Sequence, residues 1–278
     1  MKRICAITMA RNDAFFLKKW IAYYGAQLGE ENLYIWLDGE DQELPAGAGK
    51  CHIVRLPRKA EEMTVADRTR IARMNEAAHG LLDSGYDIVI GGDCDELLIV
   101  DPRAGQPLAE YLSGIDLRRP VSGLGLDVGQ HLKEEGPIDA ERPFLSQRRY
   151  ALLDSQYTKP VVVARKVRWG AGFHRVNNHN YRIDKNLYLM HFGSVDDAML
   201  RAKAADPERI GEGWSKHMLQ RRRAIDLATA KGGKDPERYL PVARWLQTLI
   251  RHPFAWLRPY MYYWKLIVRI PERFAEIV

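Results

Sequence analysis

The sequence contains few cysteines, no internal repeat and no apolar run long enough to cross a bilayer. Its three cysteines, Cys5, Cys51 and Cys94, are widely separated in 278 residues, so they form neither a disulfide framework nor the paired spacing of a zinc site. Cys5 and Cys51 lie in apolar segments and are expected in the core. Few cysteines are typical of the reducing cytosol, and 46% hydrophobic residues exclude a disordered chain.

The first residues have the charge pattern of a secretion signal but not its length. Lys2 and Arg3 precede an apolar segment at residues 4–9, which Arg11 ends without a small-residue cleavage site. We therefore expect a first strand here. A chain of 278 residues suits one large domain, or one domain with an appendage.

Basic residues outnumber acidic ones, and the net charge of +6 favours anionic partners. The chain carries no zinc-finger, RNP-like or recognisable helix-turn-helix signature, so we expect no nucleic acid partner. Nucleoside diphosphates and anionic lipid remain as candidate anionic partners.

Apolar strands alternate with helical patterns in the first hundred residues. The predicted strands cover residues 4–9, 33–37, 52–56 and 88–90. The helices between them carry apolar stripes at helical spacing, Leu17, Ile21, Tyr24 and Leu28 in the first and Ile71, Met74, Ala78 and Leu81 in the second. We expect Asn12 or Asp13 to cap the first helix and Gly29 to end it. This alternation predicts an α/β fold with a parallel, doubly wound sheet.

Beyond Pro102 the pattern changes to short segments separated by proline and glycine. The predicted strands there cover residues 121–126, 161–164 and 187–190, and the predicted helices cover 196–205 and 214–230.

Two carboxylates, Asp93 and Asp95, follow the strand at 88–90 in a turn that begins with two glycines. In extended backbone, side chains two residues apart point the same way, so this pair can converge on one cation. Mg²⁺ and Mn²⁺ prefer oxygen ligands and often share them with a diphosphate. Ligands in doubly wound sheets bind beyond the carboxyl ends of strands, where Arg11 and Asp38 also fall. We therefore predict a metal–diphosphate site, with a solvated turn as the alternative.

The tail at residues 239–278 combines aromatic with basic residues. It contains Trp245, Phe254, Trp256, Tyr260, Tyr262, Tyr263 and Trp264 among six Lys and Arg and two Glu. Two interpretations stay open. The tail forms interfacial helices on an anionic membrane surface, or its aromatic residues pack back onto the domain with the basic stems around them.

Five segments, in order, resemble those of the glycosyltransferase family 2-like enzymes of the GT-A fold. The opening segment, MARNDAFFLKKWIAYY at residues 9–24 followed by Leu28 and Gly29, is similar to that family's, with Asp13 where glutamate is usual and Tyr24 near the usual histidine. IVIGGDCDE at 88–96 resembles its DxDE segment. This chain also has KP at 159–160, GFH at 172–174 and LMHF at 189–192, which resemble three later elements of that family. The resemblance covers about residues 4–204.

The resemblance implies a GT-A-like, Rossmann-type, mostly parallel sheet flanked by helices. It divides residues 1–238 into a nucleotide-binding half at 1–101 and an acceptor half at 102–238, with 239–278 as a basic aromatic helical tail. The implied reaction moves a sugar from a nucleoside-diphosphate sugar, with a UDP-sugar as the expected donor, to a hydroxyl of a cell-envelope or lipid-linked glycan. It requires Mn²⁺ or Mg²⁺. We expect a cytoplasmic protein whose tail contacts the inner face of the membrane.

Candidate roles follow from the resemblance. Asp95 is the expected direct metal ligand, with Asp93 reaching the ribose or the metal through water. His191 is the expected third ligand, with His174 as its rival and a hydrogen-bonded core histidine as the alternative; His179 is expected in a loop. The expected nucleotide contacts are Arg11, Asp38, Arg68 and Asp93. Asp67, next to Arg68, is a candidate helix cap.

An inverting transfer requires a general base for the acceptor hydroxyl. Asp127, just after the strand at 121–126, is the candidate base, with Glu141 and Asp154 as rivals and a turn carboxylate as the alternative. Glu96 is expected to orient Asp95, to cap the turn or to contact substrate.

Two other classes of function remain open. A metal-dependent phosphohydrolase also uses Asp-x-Asp, although haloacid-dehalogenase-type enzymes place that pair after the first strand, which here ends in Ala10 and Arg11. The second class is a non-catalytic protein that binds membrane or polyanions through its basic tail.

Overall fold

A computed structural model describes residues 1–45, 47–250 and 265–278, without the side chains of 215–217. The strands are β1 (Ile4–Ala10), β2 (Leu33–Asp38), β3 (His52–Leu56), β4 (Ile88–Gly91), β5 (Glu96–Val100), β6 (Val121–Gly129), β7 (Tyr150–Leu153), β8 (Val162–Val163), β9 (Arg182–Ser194) and β10 (Ile267–Arg269). The helices are α1 (Ala14–Leu28), α2 (Met63–Asp83), α3 (Leu108–Gly114), α4 (Phe144–Gln147), α5 (Asp197–Ala204), α6 (Pro207–Gly211), α7 (Trp214–Arg221), α8 (Arg223–Lys231) and α9 (Pro236–Ile250).

The first four strands form the parallel half of one large sheet, in the order β3-β2-β1-β4. Their bounds confirm the four predicted strands to within one residue. Almost every side chain of β1 is buried, as expected for a strand covered on both faces. The predicted stripe of α2 is buried, as is that of α1 except for the partly buried Leu28. The carboxyl ends of β1 to β4 therefore lie along one edge.

The second half of the sheet is mixed. β6 pairs with β9 in parallel and with β7 and β8 antiparallel, while β5 pairs antiparallel with β9. The result is an α/β protein with a large sheet flanked by helices, compatible with a Rossmann-like fold. Strand β5 was not predicted, and β9 is much longer than the predicted 187–190, because polar residues such as Asp184 interrupt its apolar pattern. The predicted helix at 214–230 is two helices separated at Arg222.

Both predicted helix caps need correction. Asp13 occupies the N-cap position of α1, but its carboxylate pairs with Lys203 and Arg209 instead of capping the helix. Helix α2 begins at Met63, so Asp67 lies in its second turn and is not a cap. Gly29 ends α1 with φ +87°, a conformation that favours glycine.

The tail is only partly helical. Helix α9 extends into the tail as far as Ile250, whereas residues 267–269 form a strand that pairs with β7, so the helical prediction is wrong there. The reason is burial: Phe274 and Val278 pack into the same core as Leu98 and Leu240. The predictions for residues 251–264, including Phe254, Trp256, Tyr260, Tyr262, Tyr263 and Trp264, lie outside the described residues. Within the described ranges, no helix combines the length and apolar character that spanning a membrane requires.

Candidate functional site

Asp93, Asp95 and Glu96 form an acidic cluster at the carboxyl end of β4. Ligand-type oxygens of the three side chains lie within 4.8 Å of one another. The two aspartates converge as expected, but their backbone is not extended. Residues 93–95 form a turn, in which Glu96 N–H donates to the Asp93 carbonyl at 3.0 Å.

Three basic side chains from distant parts of the chain surround this cluster. Arg70 of α2 pairs with Asp93, Lys159 Nζ lies 3.4 Å from Asp93 Oδ2, and Arg221 Nη1 of α7 lies 3.2 Å from Asp95 Oδ2. Burial raises the pKa of Asp93, but Arg70 and Lys159 outweigh it and lower that pKa to about 2. Asp93 is therefore ionised at neutral pH.

Glu96 is the most buried of the three carboxylates, with 2% of its surface exposed. Its Oε1 accepts a hydrogen bond from Lys159 Nζ at 2.5 Å, while Oε2 has no hydrogen-bond partner among the described residues. Burial raises the pKa of Glu96 to about 7 despite Lys159. Glu96 can therefore change its protonation state near neutral pH.

His191 lies beside the cluster in the middle of three paired strands. On β9 it is the register partner of Glu96 on β5 and of Asp127 on β6. Its fully buried ring donates Nδ1–H to Asp127 Oδ1 at 2.7 Å and stacks on Tyr157 at a centroid distance of 4.0 Å. The expected alternative, a hydrogen-bonded buried histidine, is thus correct for Nδ1.

The other ring nitrogen is different. His191 Nε2 lies 3.3 Å from Asp95 Oδ2, an ion-pair distance, and it has no hydrogen-bond partner among the described residues. Burial lowers the pKa of His191, but Asp95 and Asp127 outweigh it and raise that pKa to about 9.

Gly193 keeps a space open next to these two atoms. A Cβ at this position would lie 2.6 Å from His191 Nε2 and 3.1 Å from Asp95 Oδ2. A buried imidazole nitrogen without a hydrogen-bond partner and a carboxylate oxygen, facing a space that a methyl group would fill, are ligand types for a divalent cation. The residues present therefore fit a metal at Asp95 and His191.

A glycine in β6 positions Tyr157 and Lys159. A Cβ on Gly125 would lie 2.4 Å from the Tyr157 carbonyl carbon, so only glycine lets this segment approach the strand. Gly125 N–H donates to Thr158 Oγ1 at 3.0 Å, which holds the segment in place. Lys159 and the stacked Tyr157 are therefore placed by β6.

The structure gives the candidate bases different positions. Asp127 is buried, and its contact with His191 Nδ1 places it behind the ring instead of at an open acceptor position. Glu141 is exposed and pairs with Lys18, and Asp154 caps a short turn by accepting from Gln156 N–H.

Two predicted nucleotide contacts lie together at a separate charged cluster. Arg11 donates to the Asp38 carbonyl at 2.9 Å and to Glu208 of α6 from two nitrogens at 3.0 Å each. The Asp38 carboxylate accepts from Arg58 at 2.8 Å, and Arg58 also contacts Glu208. Their partners Arg58 and Glu208 were not among the predicted residues, and the nucleotide contacts of Arg11 and Asp38 stay predictions.

Two other predicted residues, Arg68 and His174, lie on other elements than the acidic turn. Arg68 is exposed on α2 and lines a surface groove with His79 and Arg168, whereas Arg70, two residues later, contacts Asp93. His174 Nδ1 lies 2.8 Å from the Gln156 carbonyl.

Four residues around the acidic cluster and His191 were not among those predicted, namely Arg70, Tyr157, Gly193 and Arg221. Lys159 had been noted only within the KP element. Helical spacing separates Arg70 from Arg68, because residues two apart on a helix face different directions. No local signal distinguishes Arg221 from its neighbours Arg222 and Arg223.

No protein-family model matches the chain, and no curated protein matches it. Among solved structures it is similar to a crystal structure of mannose-1-phosphate geranyltransferase from Thermus thermophilus, with 11% identity and a TM-score of 0.31. The similarity covers 83% of this chain and 65% of that one. At this level it assigns no activity to the chain.

Proposed function

We propose that the protein is a GT-A-like, divalent-cation-dependent glycosyltransferase that transfers a sugar from a nucleoside-diphosphate sugar to an acceptor hydroxyl. The observation that carries the proposal is the buried His191 Nε2, which has no hydrogen-bond partner among the described residues and lies 3.3 Å from Asp95 Oδ2 in the turn after a parallel strand. Arg70, Lys159 and Arg221 surround the same position, and the ordered sequence motifs agree with it.

Asp95 and His191 would hold the cation, with Asp93 completing its ligands directly or through water. A bound Mn²⁺ or Mg²⁺ would neutralise the charge that develops on the leaving diphosphate. Arg221 and Lys159 bring positive charge to the same place and bind phosphate oxygens. Asp127 fixes a proton on His191 Nδ1, so the ring would release its Nε2 proton when a cation binds, and Asp127 is then a positioning residue in place of the base first expected. Glu96, with Lys159, orients the acidic turn.

Donor hydrolysis with UDP-, GDP-, CMP- and dTDP-sugars, with and without Mn²⁺, tests this function. We expect metal-dependent turnover with a UDP-sugar, and a loss of about 100-fold or more in Asp95→Ala and His191→Ala, since metal stabilisation of the leaving group contributes several kcal/mol. Asp116→Asn and His179→Gln, which change the same residue types elsewhere, serve as controls. Unchanged turnover in Asp95→Ala would reject the metal role, and phosphate release from small phosphoesters without donor would favour a phosphohydrolase.

We further propose that the acceptor is a cell-envelope or lipid-linked glycan, reached from the cytoplasmic face of an anionic membrane. Helix α9 supports this location because Val242, Trp245 and Leu249 are exposed along one face. The tail from residue 239 also carries six basic and two acidic residues, which complements anionic lipid. Co-sedimentation with vesicles containing phosphatidylglycerol should fall several-fold in Trp245→Ser/Leu249→Ser, with Thr248→Ser as control. Equal binding of both variants would reject this surface.

A further inference from the structure

The charged cluster at β1, β2 and β3 is arranged around one carboxylate of α6. Glu208 Oε1 accepts hydrogen bonds from Arg11 Nε and Arg58 Nε at 3.0 Å each, and Oε2 accepts from Arg11 Nη2 at 3.0 Å and Asn12 Nδ2 at 3.1 Å. Arg58 also contacts Glu212, at the end of the same helix. Two guanidinium groups thus enclose a single carboxylate as they would enclose a bound anion.

The position of these arginines is that of a ligand site. Arg11 follows β1 and Arg58 lies two residues after β3, so both are at the carboxyl ends of parallel strands. Guanidinium groups bind carboxylate and phosphate with the same planar geometry. A phosphate group can therefore take the place that Glu208 occupies.

Little apolar packing holds α6 over this position. None of its five residues is buried, and Ile210 is 55% exposed. The helix is instead held by polar contacts, including Arg209 Nη2 with the Arg11 carbonyl at 3.0 Å. Elements with few buried apolar contacts open at low free-energy cost, and an anion competes directly with these polar contacts.

The charge of the cluster opposes binding while α6 stays in place. Arg11 and Arg58 already contact four carboxylates, those of Asp38, Asp41, Glu208 and Glu212. A diphosphate would add negative charge to this set. Withdrawal of α6 removes two of the four carboxylates and leaves both guanidinium groups open.

We propose that Arg11 and Arg58 form an anion-binding site for a diphosphate or phosphate group, and that Glu208 of α6 occupies this site until the ligand displaces it. This phosphate is distinct from the donor diphosphate that the proposed function places at Asp95, so the inference does not rest on that function. The acidic cluster at Asp95 is not needed for it. Glu208 thereby competes with the ligand for the two arginines, and α6 covers the binding position until the ligand displaces it.

Titration calorimetry with inorganic pyrophosphate in EDTA, at constant ionic strength, tests the exchange without metal or sugar donor. Glu208→Gln keeps the shape and removes the charge, so its Kd should be at least tenfold lower than that of the wild type. Glu110→Gln, which removes one carboxylate from α3, should stay within twofold of the wild type. Glu208→Gln/Arg58→Met should lose the gain.

A Kd of folded Glu208→Gln within twofold of the wild type would overturn the proposal. A gain that persists in the double variant would also overturn it, since the anion would then bind elsewhere, for example at Arg221. Hydrogen exchange on the wild-type chain supplies a second measurement that needs no variant. Saturating pyrophosphate should speed exchange of the amides at 207–212, and unchanged or slower exchange there would reject displacement of α6.

The two proposals fail separately. If sugar donors are not turned over but Glu208→Gln gains pyrophosphate affinity, the anion site stands and the transferase function falls. If donors are turned over with Mn²⁺ but Glu208→Gln shows no gain, the reverse holds.

Discussion

His191 donates its Nδ1–H to Asp127 at 2.7 Å, and this contact determines which ring nitrogen lies beside Asp95. A carboxylate can only accept, so Nδ1 keeps its proton, and a cation bound beside Asp95 would displace the Nε2 proton that a pKa of about 9 retains in the metal-free protein. The two residues are register partners on adjacent strands, so the pairing of β6 with β9 places them in contact.

Asp127→Asn should weaken Mn²⁺ binding by about 10- to 100-fold, the usual effect of removing the group behind a metal-bound histidine. An amide nitrogen next to Nδ1 favours the other tautomer, in which Nε2 carries the proton. Calorimetric Mn²⁺ titration measures the change, with exposed Asp116→Asn as control. Wild-type affinity in a folded Asp127→Asn protein would mean that Nε2 is not a ligand.

Gly193→Ala should reduce both Mn²⁺ affinity and donor turnover, by about 100-fold for turnover if the ring moves by an ångström. The added Cβ would lie 2.6 Å from His191 Nε2 and cannot be accommodated without displacing it. Gly92→Ala is the matched control, because the nearest atom to its Cβ is Glu96 Oε2 at 4.0 Å. Equal activity of the two variants would show that the space at Gly193 is not used.

Arg221→Met should change metal and donor binding in opposite directions. Its guanidinium lies 3.2 Å from Asp95 Oδ2 and competes with a cation for that oxygen, so Mn²⁺ alone should bind more tightly without it. The nucleotide should bind about tenfold more weakly or worse, since a charge-assisted hydrogen bond contributes about 1.5–3 kcal/mol. Arg222→Met, whose side chain pairs with Asp197 and Asp226, controls for the loss of charge. Parallel changes in both affinities would contradict this role.

Asp101 should make the free energy of unfolding depend on pH in the acid range. Burial raises the pKa of Asp101, but hydrogen bonds from Arg103 and Arg273 outweigh it and lower that pKa to about 2. Because the folded pKa lies below the unfolded one, near 3.9, the stabilisation is present above about pH 4 and is lost as pH falls towards 2. It amounts to about 2 kcal/mol.

Urea unfolding of the wild type and Asp101→Asn between pH 6 and pH 2 measures this contribution. The difference in unfolding free energy should shrink by about 2 kcal/mol over that range. A constant difference would mean that the ion pair with Arg273, which ties the C-terminal segment to the domain, contributes nothing that depends on charge.

The early strands and helices could be predicted because their signals are local. Periodic burial made α2 recognisable from Ile71, Met74, Ala78 and Leu81, all of which are buried. The same rule found only residues 187–190 of β9, whose polar residues interrupt the pattern, and it failed for β10, whose three residues are too few to show one. Asp93 and Asp95 were found because their strand was found.

The sequence by itself determined the alternating α/β order and the position of the acidic turn at a strand end, since both follow from backbone periodicity over a few residues. Only the tertiary structure decided which charges meet. Arg70 reaches Asp93 across 23 residues, Asp127 reaches His191 across 64, and Arg221 reaches Asp95 across 126. Strand pairing and helix packing bring such partners together, and no local pattern records contacts over these separations.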